Sequence, residues 1–426
     1  MNPIDQQVQL TTLNSGLRVL SIHNPNTHAV SLNSFILTGS SQETPENNGI
    51  SHFVEHMLFR GNLKLGSEKE LNNTIEKIGG EINATTSFDQ IEVWMNFHQR
   101  FLEEGIDIFC KFLKYPEFNN IETERSIILE EILNDYNEDN VLIDLDSLSY
   151  LNLWDKHSIR LPVIGSKETV SSISVSHLRD WFKTHFHPSN MIIMVEGNFN
   201  STIAIDTIKN HFDHLEAHEY LKSMIPLPQA EQKHVFVKDS DSQFYLQWSF
   251  PFPGNSKEEQ IQANVISRIL DDGSNSRLQS VIREKHGLLY EISANQMSFN
   301  NCIIFSINAV VSKNNMLELL KELKRLITQL QLSGVSDEEL GHHMHRYTLH
   351  CDYCCDSSKG KLYDQLNKIL YNYYSGPFEV KEYLGKLTRH EVNKTISRIF
   401  NADNSVLVMV GPWDGESTKK AKNILH

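Results

Sequence analysis

The sequence predicts an α+β fold made of two similar domains, each a mostly antiparallel sheet packed with helices. Three observations predict this fold class. At 426 residues the chain is longer than one hydrophobic core usually supports. Strand patterns occur as neighbours in the sequence, between amphipathic helices. In addition, a helix, turn and strand pattern in the middle of the chain recurs near its end.

Four strands are predicted in the first third of the chain. LRVLSIH and AVSLNSFIL, residues 17–23 and 29–37, alternate or run apolar as strands do. INATTS and IEVWMNF, residues 82–87 and 91–97, are close enough together to form a hairpin. Because these strands are adjacent in the sequence, we expect mostly antiparallel pairing.

Three helices are predicted among these strands. Residues 69–80 have apolar residues at helical spacing and end at two glycines. The segments RFLEEGIDIFCKFLKY and ETERSIILEEILNDY, at 100–115 and 122–136, are amphipathic helices. The first third is therefore a mixture of sheet and helix.

An internal repeat predicts the larger plan. Residues 177–199 and 391–413 share the order of amphipathic helix, short turn and buried strand. Three identical pairs, each 214 positions apart, align the two segments: Phe186 with Phe400, Asn190 with Asn404, and Gly197 with Gly411. Chance similarity is the alternative, since helix, turn and strand form a common unit. We predict domains at 1–215 and 235–426, joined by a polar linker with two prolines at 216–234.

The composition excludes several classes of function. The formal net charge is −15, from 39 basic and 54 acidic residues, so the chain lacks the basic surplus of proteins that bind nucleic acid or anionic membranes. No stretch approaches the roughly 18 apolar residues of a membrane span, and the first residues lack a leader pattern. Five scattered cysteines do not form a disulfide framework. We therefore expect a cytoplasmic protein with reduced thiols.

The segment SHFVEHMLFRG, residues 51–61, has the residues of a metal site. On a helix, His52, Glu55 and His56 project from one face. Two imidazoles one turn apart can bind a tetrahedral zinc ion while the carboxylate between them holds a water molecule. The alternative is an ordinary polar helix face, since this short pattern also arises by chance. A third ligand would distinguish the two interpretations.

The helix at 122–136 offers that ligand. Glu124 and Glu131 are seven residues apart and so lie two turns along the same face. Glu130 is the competing candidate, but it lies about 100° around the helix from Glu131.

These residues resemble the pitrilysin-type, or inverzincin, zinc metallopeptidases. That family has an inverted H-x-x-E-H motif followed, after some 75 residues, by a glutamate in an E-R-x-x-x-x-x-E context. Here the interval from His56 is 131 − 56 = 75, and ERSIILEE at 124–131 supplies the context. The resemblance implies one Zn²⁺ per chain bound by His52, His56 and Glu131, with Glu55 as general base. It also gives Glu124 the role of orienting the ligands.

Two further segments match the family. GGEINATTSFDQ, at 79–90, resembles an element whose edge strand pairs with the substrate backbone, through Asn83, Ala84 and Thr86. In the second half, Arg283 and Tyr290 match an R-x-x-x-x-x-x-Y element that contacts the substrate and the developing oxyanion. Without the zinc motif, these two residues are better explained as a helix-end cation and a core aromatic.

The length of the chain implies a partner. Family members with four such domains place the zinc motif and the Arg/Tyr element in different halves of a clamshell around a closed chamber. This chain has two domains and carries both elements, so it is similar to the short subfamily that contains the mitochondrial processing peptidase catalytic subunit and its bacterial relatives. The resemblance implies half a clamshell per chain, a homodimer with two sites, and peptide substrates. A heterodimer with a related chain is the alternative.

The resemblance implies a zinc endopeptidase that degrades unfolded peptides or processes leader peptides. The alternative is a non-catalytic structural or partner subunit of the same fold, as in respiratory-complex core proteins. Such subunits usually lack part of the zinc motif, which is complete here. A second metal site in HHMHRYTLHCDYCC, residues 342–355, is not predicted, since its C-x-x-C has no paired second motif.

Overall fold

The structure is a computed structural model that describes residues 8–217, 232–254, 256–285, 287, 289–299 and 302–425. Within these ranges, the side chains of residues 283–285 and 290 are outside the description. The predicted linker at 216–234 lies largely on residues 218–231, which are not among the described residues.

The strands in chain order are β1 (Val8–Thr12), β2 (Arg18–His23), β3 (Ala29–Ile36), β4 (Glu81–Thr86), β5 (Ile91–His98), β6 (Met191–Gly197), β7 (Lys233–Lys238), β8 (Gln243–Phe252), β9 (Leu289–Ser298), β10 (Ile303–Ser312) and β11 (Val406–Gly411). The first four strands predicted from the sequence correspond to β2, β3, β4 and β5, each within one or two residues of its predicted bounds.

The α-helices are α1 (Ile50–Leu58), α2 (Glu68–Lys77), α3 (Leu102–Lys114), α4 (Ile121–Leu133), α5 (Leu145–Leu153), α6 (Lys167–Ser172), α7 (Val175–His185), α8 (Ser201–Phe212), α9 (Lys257–Asp271), α10 (Met316–Ser333), α11 (Asp337–Asp356), α12 (Ser358–Leu370), α13 (Pro377–Leu384), α14 (Arg389–Ile399) and α15 (Gly415–Leu425). A π-helix spans Leu278–Lys285. The three helices predicted in the first third correspond to α2, α3 and α4.

Two sheets of the same plan form the frame of the molecule. The first has the strand order β1-β2-β6-β3-β5-β4, and the second has the order β7-β11-β8-β10-β9. In each sheet one pair is parallel, β2 with β6 and β7 with β11, and the other neighbours are antiparallel. The predicted α+β class with mostly antiparallel sheets is confirmed.

The repeat predicted from the sequence coincides with two matching elements. Helix α7 begins at Val175 and α14 at Arg389, an interval of 389 − 175 = 214 residues. The strands that follow, β6 and β11, end at Gly197 and Gly411, which are also 214 apart. Each strand lies inside its own sheet, so the repeated unit occupies the same place in both sheets.

Contacts divide the chain into two compact units. The first contains the described residues up to Asn134, followed by 161–217 and Cys355–Asn367. The second contains Asp135–Arg160, the described residues of 232–354, and those from Lys368 onward. Each unit therefore includes one segment from the other half of the sequence. The domain boundaries predicted at 215 and 235 stay a prediction.

The first unit has its core on one face of its sheet. Helices α3 and α8 pack there and bury Phe109, Phe112 and Phe212 against strand residues such as Met95 and Val195. These rings are almost fully removed from solvent, and such burial is the main stabilising contribution to a fold.

Helix α12, which follows α11 in the second half of the sequence, contacts the strands of the first sheet. The Tyr363 hydroxyl donates a hydrogen bond to Glu92 Oε1 of β5 at 2.9 Å. The ring of Tyr363 meets Phe35 of β3 edge-on, with the ring centroids 6.0 Å apart. These contacts belong to the first unit, which includes α12 as far as Asn367.

The second unit is built in a comparable way. Helices α9, α10 and α14 enclose a core in which Phe400 meets Phe250 and Phe305 edge-on. Helix α5, from the first half of the sequence, contacts β8 and β11. Its Ser149 hydroxyl donates to the Ser249 hydroxyl at 2.8 Å, within the second unit.

Candidate metal centre

Helix α1 carries the H-x-x-E-H motif, and its N-cap is a position that requires glycine. Gly49 has a φ of +91°, in the left-handed region that favours glycine. A Cβ at this position would lie 2.7 Å from the carbonyl oxygen of Ile164, which is too close for any side chain. The helix therefore starts at a fixed point, three residues before His52.

Helix α4 lies beside α1 and is anchored by a single arginine. The Arg125 guanidinium donates to the backbone oxygens of Val170 and Ile173, the latter at 2.8 Å. The same group lies over the ring of Phe53 in α1, 5.5 Å from the ring centroid. These contacts fix α4 relative to α1, so that the acids of α4 face the histidines.

The two helices bring His52, His56 and Glu131 together. Glu131 Oε2 lies 3.5 Å from His56 Nε2 and 4.0 Å from His52 Nε2. One ligand atom from each residue falls within 4.8 Å of the others, so that these three residues could hold a metal ion. Glu130, the candidate that the sequence left open, is exposed and lies outside the group.

The donor set fits zinc. Two imidazoles and one carboxylate are the protein ligands of many hydrolytic zinc sites, in which a fourth position stays open. His52 is largely buried, and its Nδ1 has no hydrogen-bond partner in the structure. This nitrogen is not the proposed metal-binding atom, because His52 faces Glu131 through Nε2. The donor atoms that fit zinc are the three that lie within 4.8 Å of one another.

A series of charged residues holds His56 through its Nδ1 atom. His56 Nδ1 lies 2.8 Å from Glu124 Oε2. Arg60 donates to the other oxygen of Glu124 through two nitrogens, and also pairs with Glu68 at 2.7 Å. Burial disfavours the charged form of Glu124, but the hydrogen bond from His56 and the charge of Arg60 outweigh it and lower the pKa of Glu124. Glu124 is therefore held as a carboxylate.

Arg60 is a site residue that the sequence interpretation did not assign. It lies four positions after His56 and two residues beyond the end of α1 at Leu58, and this helical spacing is the signal that could have identified it. Its partner Glu124 is 64 positions away, and no local pattern predicts such a contact.

Glu55 lies beside the ligand group and is held by β4. Thr86 Oγ1 donates to Glu55 Oε2 at 2.5 Å, and the backbone of Thr86 also donates to this carboxylate. Burial raises the pKa of Glu55 and outweighs these hydrogen bonds, which lower it. A carboxylate with a raised pKa is better able to accept a proton near neutral pH.

The two histidines are electrostatically different. Burial, followed by the charge of His56, lowers the pKa of His52 to about 3. Burial alone would also lower the pKa of His56, but the hydrogen bond with Glu124 and the charge of Glu131 outweigh it and raise that pKa. His52 is therefore neutral over the physiological range, and protons compete mainly for His56.

Among the described strands, β4 lies at one edge of the first sheet, next to the motif helix. At the hairpin turn, Ser87 N–H donates to Gln90 O at 2.8 Å. Since bonded and non-bonded pairs alternate in an antiparallel ladder, Ala84 and Thr86 turn their backbone groups away from β5. Consistent with this, Ala84 N–H is bound by the side-chain oxygen of Asn83 at 2.8 Å. The three residues predicted to bind substrate thus lie along an open edge.

The predicted Arg283 and Tyr290 belong to the second unit. Arg283 falls within the π-helix Leu278–Lys285, and Tyr290 falls within β9. Their side chains lie outside the described part of the structure, so their roles stay predictions.

None of the described helices combines the length and the apolar character that a membrane crossing requires.

Comparison with known families accounts for both halves of the chain. Residues 18–154 match the profile described as Insulinase (Peptidase family M16). Residues 172–347 match the profile described as Peptidase M16 inactive domain. Each candidate metal-site residue falls in the first of these ranges.

Curated relatives span nearly the same length. A Bacillus subtilis protein described as an uncharacterized zinc protease is 24% identical over 405 residues, covering 94% of this chain and 97% of its own. A Helicobacter pylori protein described as a zinc protease is 26% identical over 349 residues, covering 77% of this chain and 76% of its own.

Solved structures share the fold. A protease from Helicobacter pylori superposes with a TM-score of 0.83 at 21% identity, over 95% of this chain and 99% of that one. A structure from Pseudomonas fluorescens described as a peptidase M16 inactive domain has a TM-score of 0.81 at 17% identity, over 96% and 98% of the two chains. With both halves matched and an inverted zinc motif in the first, this chain belongs to peptidase family M16, the pitrilysin-type metallopeptidases.

Proposed function

We propose that this protein is a zinc-dependent endopeptidase that hydrolyses unfolded peptides or processes leader peptides inside an enclosed chamber. One observation carries the proposal: His52, His56 and Glu131 converge on one point. Beside them lies the carboxylate of Glu55, held by Thr86. Family membership and relatives described as zinc proteases support the same activity.

The side chains of the site have separate roles in the proposed reaction. When bound, zinc would supply a Lewis acid that polarises the scissile carbonyl and lowers the pKa of a water molecule. Glu55 would accept the proton of the attacking water and pass it to the leaving amine. Thr86 would hold Glu55 in line for both transfers, and Glu124 would keep His56 in one ring orientation.

The open edge of β4 would hold the substrate. An extended peptide added as a further strand would pair with the outward backbone groups of Ala84 and with the carbonyl of Thr86, whose N–H is bound to Glu55. Asn83, which binds the Ala84 N–H in this structure, would release that donor to the substrate. Because Thr86 also contacts Glu55, a peptide paired along this edge would run directly to the general base. Main-chain pairing tolerates many sequences, which suits the cleavage of unfolded peptides.

The test combines metal content with cleavage. The full-length chain is purified, its zinc is measured, and it is incubated with a mixed peptide library. Two variants, Glu55→Gln and Glu131→Gln, are expected to lower cleavage by at least about 100-fold. Glu131→Gln should also lower zinc content. The matched control is Glu130→Gln, an exposed acid one position away on the same helix, which should behave as wild type.

A non-catalytic partner subunit is the competing function, since one matched profile is described as an inactive domain. That profile covers residues 172–347, whereas the proposed ligands and base all lie within 18–154. The test uses the dimeric protein. If it binds stoichiometric zinc but shows no cleavage that depends on Glu55, the subunit interpretation is favoured.

We further propose a homodimer, in which Arg283 and Tyr290 of one chain complete the site of the other. The resemblance to the four-domain members of the family supports this arrangement, and a heterodimer with a related chain is the alternative. Mixing Glu55→Gln with Arg283→Ala chains should restore activity when sites are completed between chains. Persistent inactivity of verified mixed dimers would reject completion between chains.

For location, we propose the cytosol. The five cysteines are scattered through the sequence and do not form a disulfide framework, as is usual in a reducing compartment. One similar structure is described as a periplasmic protease from Escherichia coli, and this chain covers half of it. Fractionation of cells that express the natural gene would distinguish the two compartments.

A further inference from the structure

Glu43 is a buried acid that the proposed reaction does not use. It lies in the segment between β3 and α1, with 4% of its surface exposed. Its Oε2 accepts hydrogen bonds from Gly49 N at 2.7 Å and from Asn48 Nδ2 at 3.0 Å. Its Oε1 accepts from Ser51 N at 2.8 Å. Both oxygens therefore bind the beginning of the motif helix.

The physical reason for this contact is the helix terminus. The first N–H groups of an α-helix have no partner within the helix. Side chains at the N-cap usually supply an acceptor, but the N-cap of α1 is Gly49, which has no side chain. Glu43 supplies acceptors for two of these N–H groups, those of Gly49 and Ser51, from another segment. Burial raises the pKa of Glu43 to about 7, against the hydrogen bonds from Ser51, Gly49 and Asn48, which lower it. In its charged form, Glu43 also suits the positive end of the helix dipole.

A second attachment holds the same point. The amide of Asn48 donates to Pro162 O at 3.0 Å as well as to Glu43. Gly49 packs directly on Gly165, since a Cβ on Gly165 would meet the Cα of Gly49 at 2.9 Å. The start of α1 is thus clamped between the segment of Glu43 and the segment at 162–165.

The clamp lies immediately next to a proposed ligand. Ser51, whose N–H binds Glu43, directly precedes His52. On a helix the backbone position of one residue sets the direction of the next side chain. The 4.0 Å separation of His52 Nε2 from Glu131 Oε2 therefore depends on where the first turn of α1 is held.

We propose that Glu43 is a positioning residue for the metal centre. By binding the N–H groups of Gly49 and Ser51, it fixes the first turn of α1 and so aims His52 at the point shared with His56 and Glu131. The inference rests on the proposed role of His52 as a zinc ligand. The hydrogen bonds of Glu43 go to Asn48, Gly49 and Ser51, and not to the proposed ligands or to Glu55.

Three variants of the full-length chain test the proposal. Glu43→Gln keeps the shape but replaces one acceptor oxygen with a donor nitrogen, so one of the two backbone N–H groups loses its partner. Glu43→Asp keeps the charge but is one methylene shorter and cannot reach both groups equally well. Glu46→Gln is the matched control, because Glu46 is an exposed acid in the same segment.

The first measurement is zinc affinity, by competition with a chromophoric chelator. Residues that orient metal ligands typically change metal affinity by about 10- to 100-fold, and we expect a loss in this range for Glu43→Gln. Glu43→Asp should fall between Glu43→Gln and wild type, and Glu46→Gln should equal wild type. Thermal unfolding in zinc-free buffer verifies that each variant folds.

The second measurement separates positioning from general stability. The chain is loaded with Co²⁺ in place of zinc, and its visible absorption spectrum is recorded. A displaced His52 changes the ligand geometry and shifts the bands in Glu43→Gln, whereas a purely structural role leaves them in place. With zinc saturating, kcat for a peptide should fall while KM stays unchanged.

The outcomes are distinct. A folded Glu43→Gln variant with wild-type zinc affinity and Co²⁺ spectrum would overturn the inference. Should Glu43→Gln fail to fold, Glu43→Asp decides in the same way. A wild-type chain that binds no zinc at all is a different result, since it removes the proposed function rather than the role of Glu43 alone.

Discussion

Glu124 Oε2 lies 2.8 Å from Nδ1 of His56, and this contact selects which nitrogen of that ring faces the ligand group. With Nδ1 donating its proton to Glu124, Nε2 presents a lone pair toward Glu131, 3.5 Å away. Arg60 holds Glu124 from the opposite side. A carboxylate with no contact to the proposed metal thus determines how His56 can bind it.

Replacing Glu124 by glutamine should weaken zinc binding by about 10- to 100-fold. The amide cannot hold the His56 ring in a single tautomer, because it offers a donor as well as an acceptor. Chelator competition measures the effect. Glu130→Gln, on the exposed side of the same helix, is the control, and an equal loss in both variants would show that the contact with His56 is not the cause.

Thr86→Val should lower kcat by about tenfold, since one hydrogen bond to a charged group contributes about 1.5 to 3 kcal/mol. The Thr86 hydroxyl lowers the pKa of Glu55, so its loss raises that pKa further. The carboxylate form then persists only at higher pH, and the acid limb of the kcat profile should move upward. The measurement is kcat for one peptide across pH.

Thr85→Val is the matched control for this change, because Thr85 is the exposed neighbour on the same strand. If the acid limb is unchanged in Thr86→Val, the group whose titration produces that limb is not Glu55.

Zinc binding should release a proton, and the proton should come from His56. Its pKa is raised in the metal-free protein, while that of His52 is lowered to about 3. As pH falls, His56 therefore protonates first and competes with the metal. Calorimetry in buffers of different ionisation enthalpy should show proton release that grows as pH falls toward and below neutral. Release that persists at the same size in a Glu124→Gln variant would contradict this assignment, since that carboxylate helps to raise the pKa of His56.

Removal of zinc should lower the thermal stability of the protein. A ligand that binds the folded state alone stabilises it by about 2.7 kcal/mol at a hundred times its Kd. For a unit of this size we expect the Tm to fall by about 5 to 10 °C after chelation and to recover when zinc is restored. In His52→Ala, chelation should have little effect. A chelation effect of wild-type size in that variant would place the metal elsewhere.

The sequence predicted those parts of the site that lie on regular helices. His52, Glu55 and His56 follow from their spacing on α1, and the seven-residue interval between Glu124 and Glu131 follows from two turns of α4. Both helices form, although α4 ends at Leu133 rather than at 136. There the chain turns, and Asp135 instead accepts a hydrogen bond from Ile143 N. Helical periodicity is a local property, so it survives without knowledge of the fold.

Glu43 and Arg60 could not be assigned roles from the sequence in the same way. Glu43 reaches α1 from an irregular segment, and Arg60 reaches Glu124 across 64 positions. Amphipathic patterns predicted that helices bury one face, but they did not predict which sheet covers that face. For this reason, the patterns did not predict that residues 135–160 belong to the second unit and residues 355–367 to the first.

That division of the chain has a consequence for the order of events during synthesis. The unit with the candidate metal site includes Cys355–Asn367, in which Tyr363 contacts Phe35 and Glu92. Its own sheet has left the ribosome long before this segment is made. Amino-terminal parts of multidomain chains commonly fold first. In that case, one face of this sheet stays uncovered until α12 has been translated. The nascent chain must keep that face from aggregating until most of the protein exists.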